Sequence, residues 1–229
     1  MRVLRFEEID STSTYLKSYS SILPDLTFVV ASYQSKGKGR EERVWKANKG
    51  ENLLFSLLIK NDPMLSCGPF LSLVSAVALS KVLEREFNIR ASIKWPNDVY
   101  INDRKVAGIL LEGKGSKCIV IGIGVNVNQL SFEGDYRIPP TSLYLETGKR
   151  IDIRALEDIL FPQLLKELDV AGAKEAFLSY YQERDYLRGK TVSHHGEEYR
   201  VFGVNEDFDL LLEKEGKITA VRSGEISLL

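Results

Sequence analysis

The sequence predicts an α+β protein: a mixed, largely antiparallel sheet with flanking helices, followed by a small C-terminal β-barrel. Two observations favour this class. Strand-like runs follow one another with few helices between them, which favours hairpins over a doubly wound sheet. After Arg188, short β-rich runs are separated by single glycines, a pattern typical of a small barrel. We therefore expect a first domain at residues 1–187 and a C-terminal domain at residues 188–229.

Seven strands are predicted in the first domain from runs that alternate in polarity or are rich in β-branched and aromatic residues. They are Val3–Glu8, Phe28–Tyr33, Asn52–Ile59, Ile93–Lys94, Val99–Ile101, Lys105–Glu112 and Cys118–Val127. A short helix is predicted near Ser11 and Thr12, which are good N-cap residues. Apolar stripes predict three longer helices, at Phe70–Phe87, Ile153–Leu168 and Ala173–Tyr181. The predicted strands of the C-terminal domain are Thr191–Ser193, Tyr199–Val204, Leu210–Glu213 and Ile218–Arg222.

A β-hairpin with its turn at Asn102-Asp103 is predicted, because both residues tolerate the positive φ of a tight turn. In the simplest register three pairs face each other: Ile101 with Arg104, Tyr100 with Lys105, and Asp98 with Ala107. Opposed residues point to the same side of a sheet, so Lys105 and Asp98 are expected to share one face. Such a platform suits an anionic substrate, although an ordinary exposed ion pair has the same pattern.

The predicted strand that contains Gly122 and Gly124 alternates strictly. Its apolar face is expected to lie against the core and carries Ile119, Ile121, Ile123, Val125 and Val127. Its other face carries the two glycines, followed by Asn126. Glycine weakens a strand, so two of them on one face indicate either a flat floor for a ligand or close packing of another element.

A basic loop lies between residues 33 and 50. Its cations are Lys36, Lys38, Arg40, Arg43, Lys46 and Lys49. Gly37 and Gly39 allow the backbone to approach a ligand closely, and interleaved cations of this kind can collect around phosphate oxygens. The Gly-Lys-Ser/Thr ending of a P-loop is missing, and a solvated loop is the alternative interpretation.

Taken in this order, the three stretches resemble the catalytic domain of biotin–protein ligases. The resemblance rests on Gly37-Lys38-Gly39-Arg40 with Trp45, on Lys94-Trp95-Pro96-Asn97-Asp98 with Arg104-Lys105 and Ala107-Gly108, and on Gly122–Asn126. Asp10–Ser13 and Gly224–Ser227 extend it over nearly the whole chain. It implies a ligase that uses ATP and Mg²⁺ to activate biotin as biotinyl-5′-AMP. The biotin is then transferred to a lysine of a biotin carboxyl carrier protein of a carboxylase. The C-terminal domain is implied to be SH3-like.

The resemblance also implies roles for individual residues. Those implied for biotin are Ser11, Thr12, Ser13, Gln34, Gly37, Lys38, Gly39, Arg40, Lys105, Gly108, Gly122 and Gly124. Those implied for ATP and the adenylate are Arg40, Arg43, Trp45, Asn97, Asp98, Lys105, Asn126 and Arg222. Lys105, Arg40 and Lys38 are the expected catalytic residues. No protein ligand of the metal is assigned, because Mg²⁺ is held largely by substrate phosphates and water.

The loop departs from the family's pattern at two places. Lys38 stands where arginine is common, and Glu41-Glu42 stands where a basic residue and a glycine are usual. Lysine keeps the charge but loses the bidentate fork of arginine. Glu42 removes a hinge glycine and adds negative charge beside the expected phosphates, and both changes bear on closure of the loop.

Composition limits the other functions. The net charge of −1 gives no global attraction to nucleic acid or to a membrane. Cys67 and Cys118 are too few and too far apart for a zinc site or a disulfide framework, so buried free thiols are expected. No apolar run approaches the ~18 residues of a membrane span, and the N-terminus lacks the apolar segment of a signal peptide. A cytoplasmic protein is expected.

Two other functions stay open. A lipoate or octanoate ligase or transferase shares the broad architecture, but the polar residues Ser11, Thr12 and Gln34 favour the ureido ring of biotin. A nucleic-acid-binding module could use the basic loop and the barrel, although the near-zero net charge disfavours it. Only nine residues precede Asp10, so neither a helix-turn-helix nor sequence-specific DNA binding is expected. The oligomeric state is left open, with a homodimer as one candidate.

Overall fold

The computed structural model describes residues 1–60, 68–113, 117–136, 139–169, 174–224 and 226–229. The first sheet contains β1 (Arg2–Phe6), β2 (Thr27–Ala31), β3 (Asn52–Lys60), β4 (Ser92–Lys94), β5 (Asp98–Ile101), β6 (Arg104–Gly113) and β7 (Cys118–Asn126). Its strand order is β1-β2-β3-β7-β6-β5-β4. Each neighbouring pair is antiparallel except β1 with β2. The predicted mixed, largely antiparallel sheet is therefore confirmed.

The helices are α1 (Thr12–Tyr19), α2 (Gly68–Phe87), α3 (Leu143–Thr147), α4 (Ile153–Asp169) and α5 (Lys174–Gln182). The four predicted helices are confirmed, and Ser11 is the N-cap of α1, its hydroxyl accepting from the Thr14 N–H. Ala173, the predicted first residue of the last helix, lies outside the described residues. The short α3 was not predicted, because five residues are too few for helical periodicity to appear.

The two faces of the first sheet are covered by different elements. One face packs against α2 and α4, where the ring of Phe161 stacks on Phe28 with 4.2 Å between centroids. On the other face α1 covers a smaller apolar cluster of Leu16, Leu23, Val29, Leu58, Cys118 and Val120. The start of α1 lies beside Gly122, because a Cβ built there would meet the Ser13 hydroxyl. The polar remainder of this face is left to line a cavity.

The hairpin of β5 and β6 has the predicted turn, with both residues of Asn102-Asp103 at positive φ. The two residue pairs nearest the turn are also as predicted. Asp98, however, faces Gly108 and not Ala107, so that part of the prediction is wrong. The reason is a β-bulge that shifts the register by one residue. A bulge leaves one residue of a strand without an opposed partner, and the polarity pattern alone did not reveal it.

The second sheet contains β8 (Thr191–His194), β9 (Glu197–Val204), β10 (Leu210–Lys214), β11 (Lys217–Val221) and β12 (Ser227–Leu228). Its order is β11-β10-β9-β8-β12, with antiparallel pairs. Four of these strands were predicted. Within the described residues β11 and β12 remain the two edges, so the predicted barrel is not closed.

The second sheet docks on the first through Phe208, which lies between β9 and β10. Its ring is buried between Phe70 and Phe177, at centroid distances of 4.6 Å and 5.2 Å. Its carbonyl accepts a hydrogen bond from the buried indole N–H of Trp95 at 3.0 Å. The two predicted domains thus share a buried aromatic contact, and the boundary between residues 187 and 188 stays a proposal.

Cys118 is a buried free thiol, as predicted, whereas Cys67 lies outside the described residues. Within the described ranges, every helix is too short or too polar to cross a membrane.

We predict that Phe208→Ala lowers the free energy of unfolding by about 3–5 kcal/mol, because it removes a fully buried ring and leaves a cavity. Urea denaturation followed by far-UV circular dichroism measures the loss. Phe202→Ala is the matched control, since Phe202 lies in the same sheet with its side chain 60% exposed, and a change within about 0.5 kcal/mol is expected there. Equal losses for the two variants would contradict the docking role of Phe208.

Candidate active site

A cavity of about 690 Å³ lies between the polar face of the first sheet and the basic loop. Most of the predicted site residues line it: Ser11, Thr12, Ser13, Gln34, Lys38, Gly39, Arg40, Arg43, Trp45, Asn97, Asp98, Lys105, Gly108, Gly122, Gly124 and Asn126. Residues separated by more than a hundred positions in the chain meet here because β3, β7, β6 and β5 are neighbours in the sheet. The structure therefore brings the three predicted stretches together.

One end of the cavity is a cluster of polar side chains. The Gln34 side-chain oxygen accepts from the Thr12 backbone N–H at 2.8 Å and from the Thr12 hydroxyl at 3.0 Å. The Ser56 hydroxyl lies 2.7 Å from the Thr12 hydroxyl and 2.9 Å from that of Ser13. This connected network of uncharged donors and acceptors can orient a neutral polar ring.

Ser56 is a site residue that the sequence reasoning missed. It lies in the middle of β3, where its neighbours on both sides are apolar, and it is fully buried. Ser56 pairs with Gly122 of β7 across the sheet, so its hydroxyl faces the cavity with the glycine. The available signal was a single hydroxyl in an otherwise apolar strand, because a buried polar group needs a partner.

The basic loop begins beside this polar cluster. The Lys36 backbone N–H donates to the Asp10 carbonyl at 2.8 Å, and the Lys36 ammonium donates to the Asp10 carboxylate at 2.9 Å. This hydrogen bond, together with a weaker one from Ser35, holds the pKa of the Asp10 carboxyl below its ordinary value. Asp10, just before α1, and Lys36, at the start of the basic loop, are thus joined at the surface.

The loop folds as a narrow hairpin over the cavity. The Gly39 N–H donates to the Arg43 carbonyl at 2.7 Å, and the Trp45 N–H donates to the Gly37 carbonyl at 3.1 Å. Its tip is Glu41-Glu42, with both residues at positive φ. A Cβ on Gly37 would lie 2.5 Å from the Trp45 carbonyl oxygen, so glycine is needed there for closure of the hairpin.

Arg40 ties the loop to both sheets. Its guanidinium donates to the Asn97 side-chain oxygen at 3.1 Å and to the Gly224 carbonyl at 2.9 Å. Asn97 in turn donates to the Ile109 carbonyl of β6 at 2.8 Å. A forked donor can hold two acceptors at once, which explains why this position suits arginine.

The Lys105 ammonium lies at the centre of the platform, 2.7 Å from the Asp98 carboxylate. Asp98 is opposed to Gly108, which lies on the cavity face, and the bulge between Ala107 and Lys105 allows Lys105 to reach the same face. The Lys38 ammonium lies 3.8 Å from Glu112, which also pairs with Lys17 of α1. Each of these cations therefore already faces a carboxylate of the protein.

Two of the predicted residues do not line the cavity. Gly37 lies at the base of the loop hairpin, where it contacts Trp45. Arg222 is 72% exposed and pairs with Asp209 of its own domain at 3.2 Å. The implied nucleotide-binding role of Arg222 therefore stays a prediction, and Ile226–Leu228 of the same domain line the cavity.

Trp45 lies directly on the glycines of the sheet. A Cβ on Gly124 would come within 2.5 Å of the indole, and one on Gly108 within 2.9 Å. The Lys105 ammonium lies 5.6 Å from the centre of the same ring. The predicted glycine floor is therefore present, but the protein's own indole covers this part of it.

Further lining residues were missed because they lie in irregular segments without a sequence pattern. They are Phe132, Asp135, Tyr136 and Pro140. Lys94 of β4 and Tyr100 of β5 also line the cavity. Asn126, which was predicted, is buried at this end and its amide donates to the Thr141 carbonyl at 3.0 Å. The cavity therefore has one uncharged polar end, a cationic middle and an end with aromatic side chains.

Comparison with known proteins agrees with this geometry. Residues 5–126 match the Biotin/lipoate A/B protein ligase family. The chain belongs to this family. The Bifunctional ligase/repressor BirA of Bacillus spizizenii is 33% identical over 219 residues, covering 90% of this chain and 67% of that protein.

Two further members of the ligase family extend the likeness. A Biotin–[acetyl-CoA-carboxylase] ligase of Paracoccus denitrificans is 34% identical over 175 residues, which are 71% of this chain and 72% of that one. The biotin protein ligase from Aquifex aeolicus, solved in complex with biotin and ATP, is 30% identical with a TM-score of 0.87. That similarity covers 100% of this chain and 98% of the Aquifex chain, so it includes both sheets.

We predict that Arg40→Lys loosens the loop of this family member, because a single ammonium cannot hold the Asn97 and Gly224 oxygens in the geometry of the fork. Amide hydrogen exchange followed by mass spectrometry should be faster over residues 37–46, with little change in global unfolding. Arg43→Lys is the control, since it keeps the charge of the loop and leaves the Arg40 bridge intact. Equal exchange in wild type and Arg40→Lys would exclude the bridge as the restraint.

Proposed function

We propose that this protein is an ATP-dependent biotin–protein ligase. It activates biotin as biotinyl-5′-AMP and transfers biotin to a lysine of a biotin carboxyl carrier protein of a carboxylase. The observation that carries this proposal is one cavity with a neutral hydrogen-bonding cluster at one end and Lys105, Arg40 and Lys38 at its middle. The named relatives and the Aquifex structure with biotin and ATP support it.

The ureido ring of biotin occupies the uncharged end in this proposal. Its N–H and C=O groups need matched acceptors and donors, which the Ser11–Ser13 segment, Gln34 and Ser56 supply. Gly122 leaves room beside them, since a Cβ there would lie 2.6 Å from the Ser13 hydroxyl. Lipoate and octanoate have no ureido N–H or C=O groups, so they form fewer hydrogen bonds with such a cluster than biotin does. The cluster therefore favours biotin.

The first reaction joins two anions. A biotin carboxylate oxygen attacks the α-phosphorus of ATP, the new C(O)–O–P bond forms, and pyrophosphate leaves with the electrons of the broken P–O bond. Lys105 and Arg40 are proposed to hold the negative charge that gathers on the phosphoryl oxygens, with Lys38 at the carboxylate. Preorganised cations of this kind are the largest single contribution in many active sites.

The second reaction transfers the acyl group. The neutral amine of the acceptor lysine attacks the acyl carbon, an amide bond forms, the amine loses a proton, and AMP leaves. The mixed anhydride reacts readily with water, so it must be shielded until the acceptor arrives. The loop hairpin of residues 37–45 is proposed to provide that shield, with Gly37 and Gly39 at the positions where its strands approach closely.

The nucleotide is proposed to lie at the other end of the cavity, with Arg43, Trp45, Asn97, Asp98 and Asn126 around it. Mg²⁺ binds mainly through substrate phosphates and water, with one or two carboxylates. Asp98 and Asp135 line the cavity and fit that requirement, whereas no larger group of metal-ligating side chains occurs in the described part of the chain. When bound, Mg²⁺ neutralises charge on the phosphates.

We also propose a role for the second sheet and a cellular location. The second sheet is proposed to be an SH3-like module that closes one side of the cavity through Ile226–Leu228. The protein is proposed to act in the cytoplasm, without sequence-specific DNA binding. Sedimentation velocity at micromolar concentration distinguishes a monomer from a homodimer. A gel-shift assay with competitor operator tests the absence of DNA recognition.

The activity is tested by incubating the protein with ATP, Mg²⁺, biotin and a biotin carboxyl carrier domain, followed by mass spectrometry of the carrier. The expected product carries one biotinyl group on one lysine. Parallel reactions with lipoate and octanoate, scored by pyrophosphate release, separate the related acyl ligases. Pyrophosphate release with lipoate or octanoate but not with biotin would refute the proposal.

We predict that Lys105→Met lowers adenylate formation by roughly 100-fold or more, the loss typical when one preorganised charge is removed from a reacting anion. Pyrophosphate release under single-turnover conditions measures it. The substitution also leaves the Asp98 carboxylate without its partner, so Asp98→Asn combined with Lys105→Met controls for the stranded charge. Near-normal pyrophosphate release in either folded variant would exclude the proposed role of Lys105.

A further inference from the structure

The contact between Trp45 and the sheet has an unusual geometry. Gly108 of β6 and Gly124 of β7 are directly opposed residues, so their missing side chains leave one shared depression on the cavity face. The indole of Trp45 fills it. A Cβ on Gly124 would lie 2.5, 2.7 and 2.8 Å from Cε2, Nε1 and Cζ2 of the indole, all closer than ordinary carbon contacts allow.

The need for glycine comes from the indole and not from the backbone. Neither Gly108 nor Gly124 has the positive φ that L-residues avoid, so the strand itself would accept alanine at both positions. The three atoms nearest to a Cβ on Gly124 all belong to Trp45, whereas a Cβ on Gly108 would also meet the Lys105 ammonium at 3.1 Å. Gly124 is therefore the cleaner reporter of this contact.

Trp45 also belongs to the base of the loop hairpin. The Trp45 backbone N–H donates to the Gly37 carbonyl, and Lys38 forms an antiparallel β-bridge with Val44. An indole held in the sheet therefore holds both strands of the loop. This attachment is made by shape and dispersion, whereas the Arg40 bridge at the tip of the loop is made by charge-assisted hydrogen bonds.

The contact between Trp45 and the two glycines leaves one polar group without a hydrogen bond. The indole N–H of Trp45 is buried and has no hydrogen-bond partner among the described residues. Leaving a buried donor unpaired offsets part of what the contact gains. The indole can therefore leave the glycines, which a loop that admits substrates requires.

We propose that Gly108 and Gly124 form a socket for the indole of Trp45, and that seating of the indole holds the basic loop over the reacting groups. The two glycines are positioning residues, acting through Trp45 on retention of the acyl-adenylate. The kinetic part of this inference rests on the proposed ligase function. The structural part, the socket itself, stands on the contacts alone.

Tryptophan emission tests the socket without substrates. The chain has two tryptophans, and Trp95 is buried with its N–H bonded to the Phe208 carbonyl. Gly124→Ala should shift the emission to the red and increase quenching by acrylamide, because the displaced Trp45 meets water. Trp45→Phe gives the remaining emission of Trp95 and so assigns the change.

Gly122→Ala is the matched control. Gly122 lies on the same face of the same strand, two residues away, but a Cβ there would meet the Ser13 hydroxyl at 2.6 Å and not the indole. Its emission should equal that of wild type, while its KM for biotin rises. Gly124→Ala should differ from this control in its emission, because only its Cβ would meet the indole.

Retention is measured as release of free biotinyl-AMP from protein supplied with biotin, ATP and Mg²⁺ but no acceptor. Gly124→Ala should release it about tenfold faster, which corresponds to a loss of ~1.4 kcal/mol from the barrier to escape. In a Trp45→Ala background the same substitution should add nothing, because its effect passes through the indole. A strand weakened in general would lose retention in both backgrounds.

The outcomes separate the two proposals. Unchanged emission in folded Gly124→Ala, or additive losses in the double variant, would overturn the socket. A red shift in Gly124→Ala with no shift in Gly122→Ala supports it, even if the wild type forms no adenylate. Absence of biotinyl-AMP in the wild type would overturn the ligase function and the kinetic arm together.

Discussion

The pairing of β6 with β7 is the constraint on which the rest of the site depends. It places Gly108 opposite Gly124 and Leu110 opposite Gly122, so three glycines leave a shallow depression on the cavity face of the two strands. The register is held by the other face, where Ile109 and Ile123 are buried in the core. A slip of one residue would turn that apolar set toward the cavity and is strongly disfavoured.

The charges of the site are arranged around these glycines. Lys105 faces Asp98, Lys38 faces Glu112, and Arg40 donates to Asn97 and to the backbone of Gly224. Each cation is therefore held in place by an acceptor of the protein before any substrate arrives. Anionic substrates then replace some of these protein acceptors. This costs less reorganisation than ordering free side chains.

The sequence predicted those parts of the site that depend on local patterns. The hairpin turn, the strict alternation around Gly122 and the cap at Ser11 each have a short-range signal, and each is present in the fold. Other parts depend on geometry that no local pattern encodes. The bulge that moved the Asp98 pairing and the place of Ser56 both belong to this second group.

By itself, the sequence determined the class of fold, the two-faced strand and the family to which the loop and hairpin belong, because periodicity and turn chemistry act between near neighbours. Only the tertiary structure decided what lies on the glycines. Both a ligand floor and a close-packing site satisfied the pattern. The structure packs Trp45, which precedes Gly108 by 63 residues and Gly124 by 79, on two glycines that also line the cavity. Contacts over such separations depend on the pairing of the whole sheet. The conformational preferences of a strand's own residues are the same whether an indole or a ligand packs on it.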